Sequence, residues 1–237
     1  MKQLETEHYI FHFEPGSTAE RDIAQIAAGQ EACYRYICNV LKVEPDFKLE
    51  YLLCQTPEDV GRAYRDDETC NGYAARPNKI NAVYNDQVKC IGFHEDAHLI
   101  SYCHNRPYCP AVTEGLAMYF DRKWWGIHNM DWTAYYLRSS RYVSLDKLYD
   151  RETFFSIDDS VSYPIVGAFT EYLLATYGIE TFLTFYRRNG NMAEEFERVY
   201  GKSVSGMNEE FVNYIRLFRL DEAVAERITR LIEERVC

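Results

Sequence analysis

Along the first 86 residues apolar positions with a period of two are mixed with stretches of helical period. Tyr9, Phe11 and Phe13 alternate with His8, Ile10 and His12 before Pro15-Gly16, which predicts a strand. Residues 18–41 carry a helical pattern. Lys48 to Cys54 predicts a second strand, stopped at Thr56-Pro57, with a short helix following through about Tyr64. Residues 72–76 and 79–84 flank Pro77-Asn78 and predict a hairpin whose returning strand is about Ile80 to Tyr84.

Beyond residue 86 the pattern turns helical. Asn85 or Asp86 is a candidate cap for a helix carrying Val88, Ile91, His94, Glu95, His98, Leu99 and Tyr102, ended by Asn105-Arg106-Pro107. A helix begun near Thr113 covers Leu116 to Trp125. Ser162 followed by Pro164 marks another start and Gly178 a stop, with helices at about 179–188, 206–219 and 221–235. The expected fold class is α+β: a small N-terminal β-sheet lobe with helices, residues 1–86, followed by a mainly helical lobe, residues 87–237.

The third predicted helix carries His94-Glu95-Asp96-Ala97-His98. In H-E-x-x-H, residues four apart lie about 40° from each other around a helix, so two imidazoles converge on one metal ion. The intervening glutamate projects beside them, where it can take a proton from water. The spacing therefore points to a zinc site, with His94 and His98 as ligands and Glu95 as general base.

A catalytic zinc usually has three protein ligands and one open position. His104 is one candidate for the third, since His94, His98 and His104 match the H-E-x-x-H-x-x-G-x-x-H spacing except for Ser101 in place of glycine. On a continuous helix His94 and His104 would stand about 15 Å apart along the axis, too far to share an ion. Glu114, in Pro110-Ala111-Val112-Thr113-Glu114-Gly115-Leu116-Ala117, is the favoured alternative. A turn through Asn105 to Pro110 would return a second helix antiparallel to the first, and Gly115 and Ala117 are small enough for close helix packing.

His8 and His12 also stand four apart, but on a strand they are about 13 Å from each other and are not expected to share a metal. His128 lies in the aromatic stretch Trp124 to Trp132, which packing in a core explains better than an exposed binding patch.

With these residues the chain resembles the gluzincins, zinc peptidases with H-E-x-x-H on one helix and a glutamate ligand on the next. The likeness extends to a compact, peptidase MA-like branch in Glu114-Gly115-Leu116-Ala117-Met118-Tyr119, in Ser162-Tyr163-Pro164 opening a helix that ends at Tyr177-Gly178, and in the Phe196 to Tyr214 segment with Tyr200-Gly201-Lys202. The resemblance implies a zinc-dependent peptidase acting on peptides or small proteins, with a metal-activated water as nucleophile. It implies Tyr163 as donor to the oxyanion, and peptide binding by backbone pairing to the strand at about Ile80 to Tyr84. The chain departs from the pattern in lacking a Gly-Ala-Met-Glu-Asn element and in carrying Met118 where some gluzincins have aspartate.

Composition narrows the partners. The net charge of −11 over 237 residues argues against nucleic acid or an anionic membrane, both of which need a basic face. No apolar run follows the first lysine and no segment offers about 18 uncharged residues, so a cytoplasmic protein is expected. The eight cysteines are irregularly spaced without a Cys-x-x-Cys pair, and are expected as reduced thiols. The competing class is a non-catalytic module in which zinc only stabilises a peptide-binding or interaction surface.

Overall fold

Strand alternation puts Tyr9, Phe11 and Phe13 on one face of β2 (Tyr9–Phe13), where all three are buried. In the computed structural model, which describes residues 1–64 and 69–234, β2 belongs to a five-stranded mixed sheet. Its members are β1 (Lys2–Glu5), β2, β3 (Leu49–Cys54), β4 (Gly72–Ala75) and β5 (Lys79–Val83), ordered β1-β2-β3-β5-β4. β2, β3 and β5 run parallel in register Tyr9↔Leu49 and Tyr51↔Ile80, while β1 and β4 pair antiparallel with β2 and β5 at the two edges.

The parallel step from β2 to β3 needs a crossover, supplied by α1 (Thr18–Leu41). Ser17 caps it by accepting from the Glu20 N–H. Its apolar positions Ile26, Tyr34, Ile37 and Leu41 are buried, as are Phe11, Leu49, Tyr51 and Leu53 of the sheet. α2 (Pro57–Tyr64) precedes the β4–β5 hairpin, and α3 (His94–Ser101) follows it.

Residues 1–103 form one compact unit and residues 104–237 a second. This division falls after α3 and not near residue 86, because α3 packs on α1 and β4. The second unit comprises α4 (Pro110–Asp121), the small hairpin β6 (Lys123–Trp124) and β7 (Ile127–His128), α5 (Asn129–Arg138), α6 (Leu145–Leu148), α7 (Arg151–Ser156), α8 (Asp159–Tyr186), α9 (Met192–Tyr200), α10 (Val204–Leu217) and α11 (Glu222–Glu233). Residue 235, the expected end of the last helix, lies outside the described residues. Among the described residues, no helix is long and apolar enough to cross a membrane.

α8 runs past its expected start. Asp158 caps it, and Pro164 sits inside it, where a proline withholds the N–H that the Ser160 carbonyl would accept. Tyr136 supplies the missing donor, its hydroxyl 2.8 Å from that carbonyl. Gly178 breaks the helix as expected, with φ 79° and ψ 163°. α4 begins three residues before Thr113, with Pro110 in its first turn. It stops before Trp125 because Arg122 turns left-handed, and Trp125 and Gly126 both take positive φ to make the two-residue β6–β7 turn.

Candidate metal centre

The helix bearing the histidine pair is shorter than its apolar pattern suggests. α3 starts at His94, nine residues after Asn85. Asn85 Oδ1 instead accepts from the N–H groups of Gln87 and Val88 at 2.8 and 2.7 Å, closing a turn, and Gly92 at φ 130° interrupts any helix between them. Within α3, His94 and His98 present ring nitrogens within 4.8 Å of each other, their rings T-shaped at 5.0 Å between centroids. His94 is half-buried and His98 buried. That separation suits two donors to one ion with bonds near 2.1 Å.

Glu95, half-buried, lies about 80° round the helix from the midline of the pair. Its carboxylate bears on β4: a Cβ built on Gly72 would stand 2.8 Å from Glu95 Oε1 and 2.8 Å from Cys90 Sγ. A larger residue at 72 would require the Glu95 carboxylate and the Cys90 thiol to shift. β4 is the outer strand on this side of the sheet, whereas β5 is paired on both sides, by β3 and β4. Ile80 to Tyr84 is therefore paired on both sides, and among the described residues the hairpin strand at the sheet edge is Gly72–Ala75.

Asp96, between the two ligand candidates, is fully buried. Tyr51 Oη donates to its Oδ1 at 2.7 Å, and Tyr9 Oη and Gln30 Nε2 reach its Oδ2 at 2.5 and 3.0 Å. Burial first, and then the Asp96 carboxyl, push the Tyr9 and Tyr51 hydroxyls far above the usual phenol range, so both stay protonated and able to donate. Nothing in the spacing of the sequence marks Asp96 as buried.

Glu114 lies in the second turn of α4. Along Pro110–Met118 it is the single half-exposed position in a run that is otherwise buried. Gly115 lets α4 approach α8: a Cβ there would stand 2.6 Å from Thr170 Oγ1 and 3.0 Å from the Val166 carbonyl oxygen. Met118 is buried against Gly167, as an apolar core residue would be. Asp159, in the first turn of α8, has its carboxyl pushed up by partial desolvation and by the charges of Asp158 and Glu114. It is an acidic neighbour of Glu114 that no sequence motif marks.

His104 falls beyond the end of α3, so the helical-rise argument against it does not apply. Its Nδ1 accepts from Arg187, 3.3 Å from Nε and 3.1 Å from Nη2, which occupies one of its two nitrogens. Tyr163 stands in the second turn of α8, its ring against Trp124 at 5.5 Å and Phe154 at 5.9 Å between centroids. Trp132 is fully buried and Trp125 is 44% exposed, so the aromatic stretch is part core and part surface.

Elsewhere, His8 Nδ1 pairs with Glu31 at 2.7 Å and its ring stacks on Tyr34. Glu7, His8 and Glu31 offer donor atoms within 4.8 Å of one another, but Arg35 lies 3.5 Å from Glu31 and 3.8 Å from Glu7, the signature of a charge cluster. A groove of about 540 Å³ lined by Leu137, Arg138, Ile215, Phe218 and Arg219 holds none of the candidate residues. Among the described residues, seven cysteines are thiols and not disulfides. Burial pushes Cys54 and Cys109 up to about 11, so both stay protonated at neutral pH.

No known protein-family model matches this chain, and a search of curated proteins finds no match either.

Proposed function

We propose that this protein is a zinc metallopeptidase of gluzincin type, in which His94, His98 and Glu114 hold the metal and Glu95 is the general base. The observation that carries the reading lies within residues 1–103. Two imidazoles share one face of α3, and the glutamate beside them is aimed at Gly72 on the edge strand β4. A site that only held a metal would have no use for a carboxylate so placed. Two imidazoles and one carboxylate also form a donor set suited to a catalytic zinc with an open fourth position. In this reading Glu114 is the third ligand, and the exposure of that one side chain in a buried run of α4 supports the choice.

When bound, zinc supplies Lewis acidity toward water and toward the scissile carbonyl. Glu95 takes a proton from the attacking water and later delivers it to the leaving amine. A peptide paired to β4 by its backbone would pass beside that carboxylate. Tyr163 donates a hydrogen bond to the carbonyl oxygen as negative charge develops there, its ring steadied by Trp124 and Phe154. Peptides or small proteins in the cytoplasm are the substrates proposed.

Glu95→Gln tests the reading. It should retain one zinc per chain by elemental analysis and lose peptide hydrolysis by about 100-fold or more, the usual worth of a positioned base. Tyr163→Phe should also keep its zinc, with a kcat lower by about 100-fold. Unchanged turnover in Glu95→Gln would sink the enzyme reading in favour of a zinc-stabilised interaction module.

A further inference from the structure

Resting on the metallopeptidase reading, we infer that Asp96, Tyr9, Tyr51 and Gln30 form a positioning network that sets the rotation of the metal-binding helix. With 100° per residue, Asp96 stands about 180° around α3 from the midline between His94 and His98. Whatever holds Asp96 therefore aims the two imidazoles. Its carboxyl is fully buried and is held by side chains from three separate elements, Tyr9 of β2, Tyr51 of β3 and Gln30 of α1. Three anchors from different directions fix both the angle and the axial position of the helix. Gln30 Nε2 also lies 3.0 Å from the Gly92 carbonyl oxygen, so the same side chain holds the chain where it enters α3.

The helix needs such a fixture. It has eight residues and no side-chain cap at its N-terminus, and so short a helix cannot set its own geometry. A rotation of about 10° would move an atom about 6 Å from the axis by about 1 Å. Metal–ligand distances tolerate only about 0.2 Å. Asp96 touches neither reacting atoms nor metal in this scheme; it acts through the backbone of α3, as a positioning residue.

The test compares wild type, Tyr51→Phe, Tyr9→Phe and Asp96→Asn with Ile37→Val, a conservative change at a fully buried position of α1. Zinc affinity is measured by chelator competition well below every unfolding midpoint, and the visible spectrum is recorded after cobalt substitution. Tyr51→Phe and Asp96→Asn should weaken zinc binding by about 10- to 100-fold and shift the cobalt bands, while Ile37→Val moves neither. If Asp96→Asn does not fold, Tyr51→Phe decides, since it removes one oxygen from a ring that stays packed. Network variants with wild-type zinc affinity and cobalt spectrum would reduce the cluster to ordinary core structure and overturn the inference. Wild-type protein that takes up neither zinc nor cobalt is a separate result: it overturns the metallopeptidase reading itself, and the inference with it.

Discussion

Glu114 and His104 compete for the third position in the proposed metal set, and they differ in what surrounds them. Glu114 is a carboxylate left half-exposed in a buried stretch of α4, whereas His104 has Nδ1 engaged by Arg187. Glu114→Ala should lower zinc affinity by at least about 100-fold, as expected for loss of a direct ligand beyond the cost of an outer partner, and His104→Ala should leave it unchanged. Release of zinc by His104→Ala alone, measured by chelator competition, would reassign the site. At this scale the H-E-x-x-H set was legible because its geometry is local, four residues on one helix. Asp96 was not, because its partners lie 45, 66 and 87 positions away in sequence. In isolation an aspartate beside a glutamate looks like a solvated helix face.

The elements show the same division between local and distant causes. The alternation of Tyr9, Phe11 and Phe13 marked β2 directly, and the hairpin around Pro77-Asn78 appears as β4 and β5. Which hairpin strand lies at the sheet edge depends on where β3 docks, and β3 takes β5. The start of α3 was misplaced because Asn85 caps equally well a turn or a helix, and its side chain serves a turn here.

Helix packing gives a prediction at this scale. A Cβ on Gly167 of α8 would stand 2.6 Å from both Asn129 Nδ2 and Met118 Cβ, so Gly167→Ala should destabilise the protein by about 1–3 kcal/mol through overpacking. Gly29 in α1 has nothing within 4 Å of the same position. Gly29→Ala should stabilise by about 0.4–1 kcal/mol through a less flexible unfolded chain. Opposite shifts of the thermal midpoint in the two variants are the expected outcome, and a stabilised Gly167→Ala would contradict the packing described.

For the whole molecule, the proposal is that His94, His98 and Glu114 hold one metal ion. A metal bound only by the native arrangement stabilises it by mass action, by about 2.7 kcal/mol at a free concentration one hundred times Kd. Chelator should therefore lower the thermal midpoint, and added zinc should restore it. A midpoint indifferent to both would argue that the folded chain holds no metal. The acidic balance of −11 bears on partners and solubility and does not specify the fold.

The sequence by itself determined the α+β class, the strands at Tyr9–Phe13 and Leu49–Cys54, the break at Gly178 and the spacing of His94, Glu95 and His98, since each follows from periods of two or 3.6 and from local backbone chemistry. Only the tertiary structure decided that the hairpin strand at the sheet edge is Gly72–Ala75, that Glu95 bears on Gly72, and that Asp96 is buried among Tyr9, Tyr51 and Gln30. Those facts depend on which segments pack together across dozens of residues. Neither hydrophobic period nor motif spacing encodes that choice within a single element.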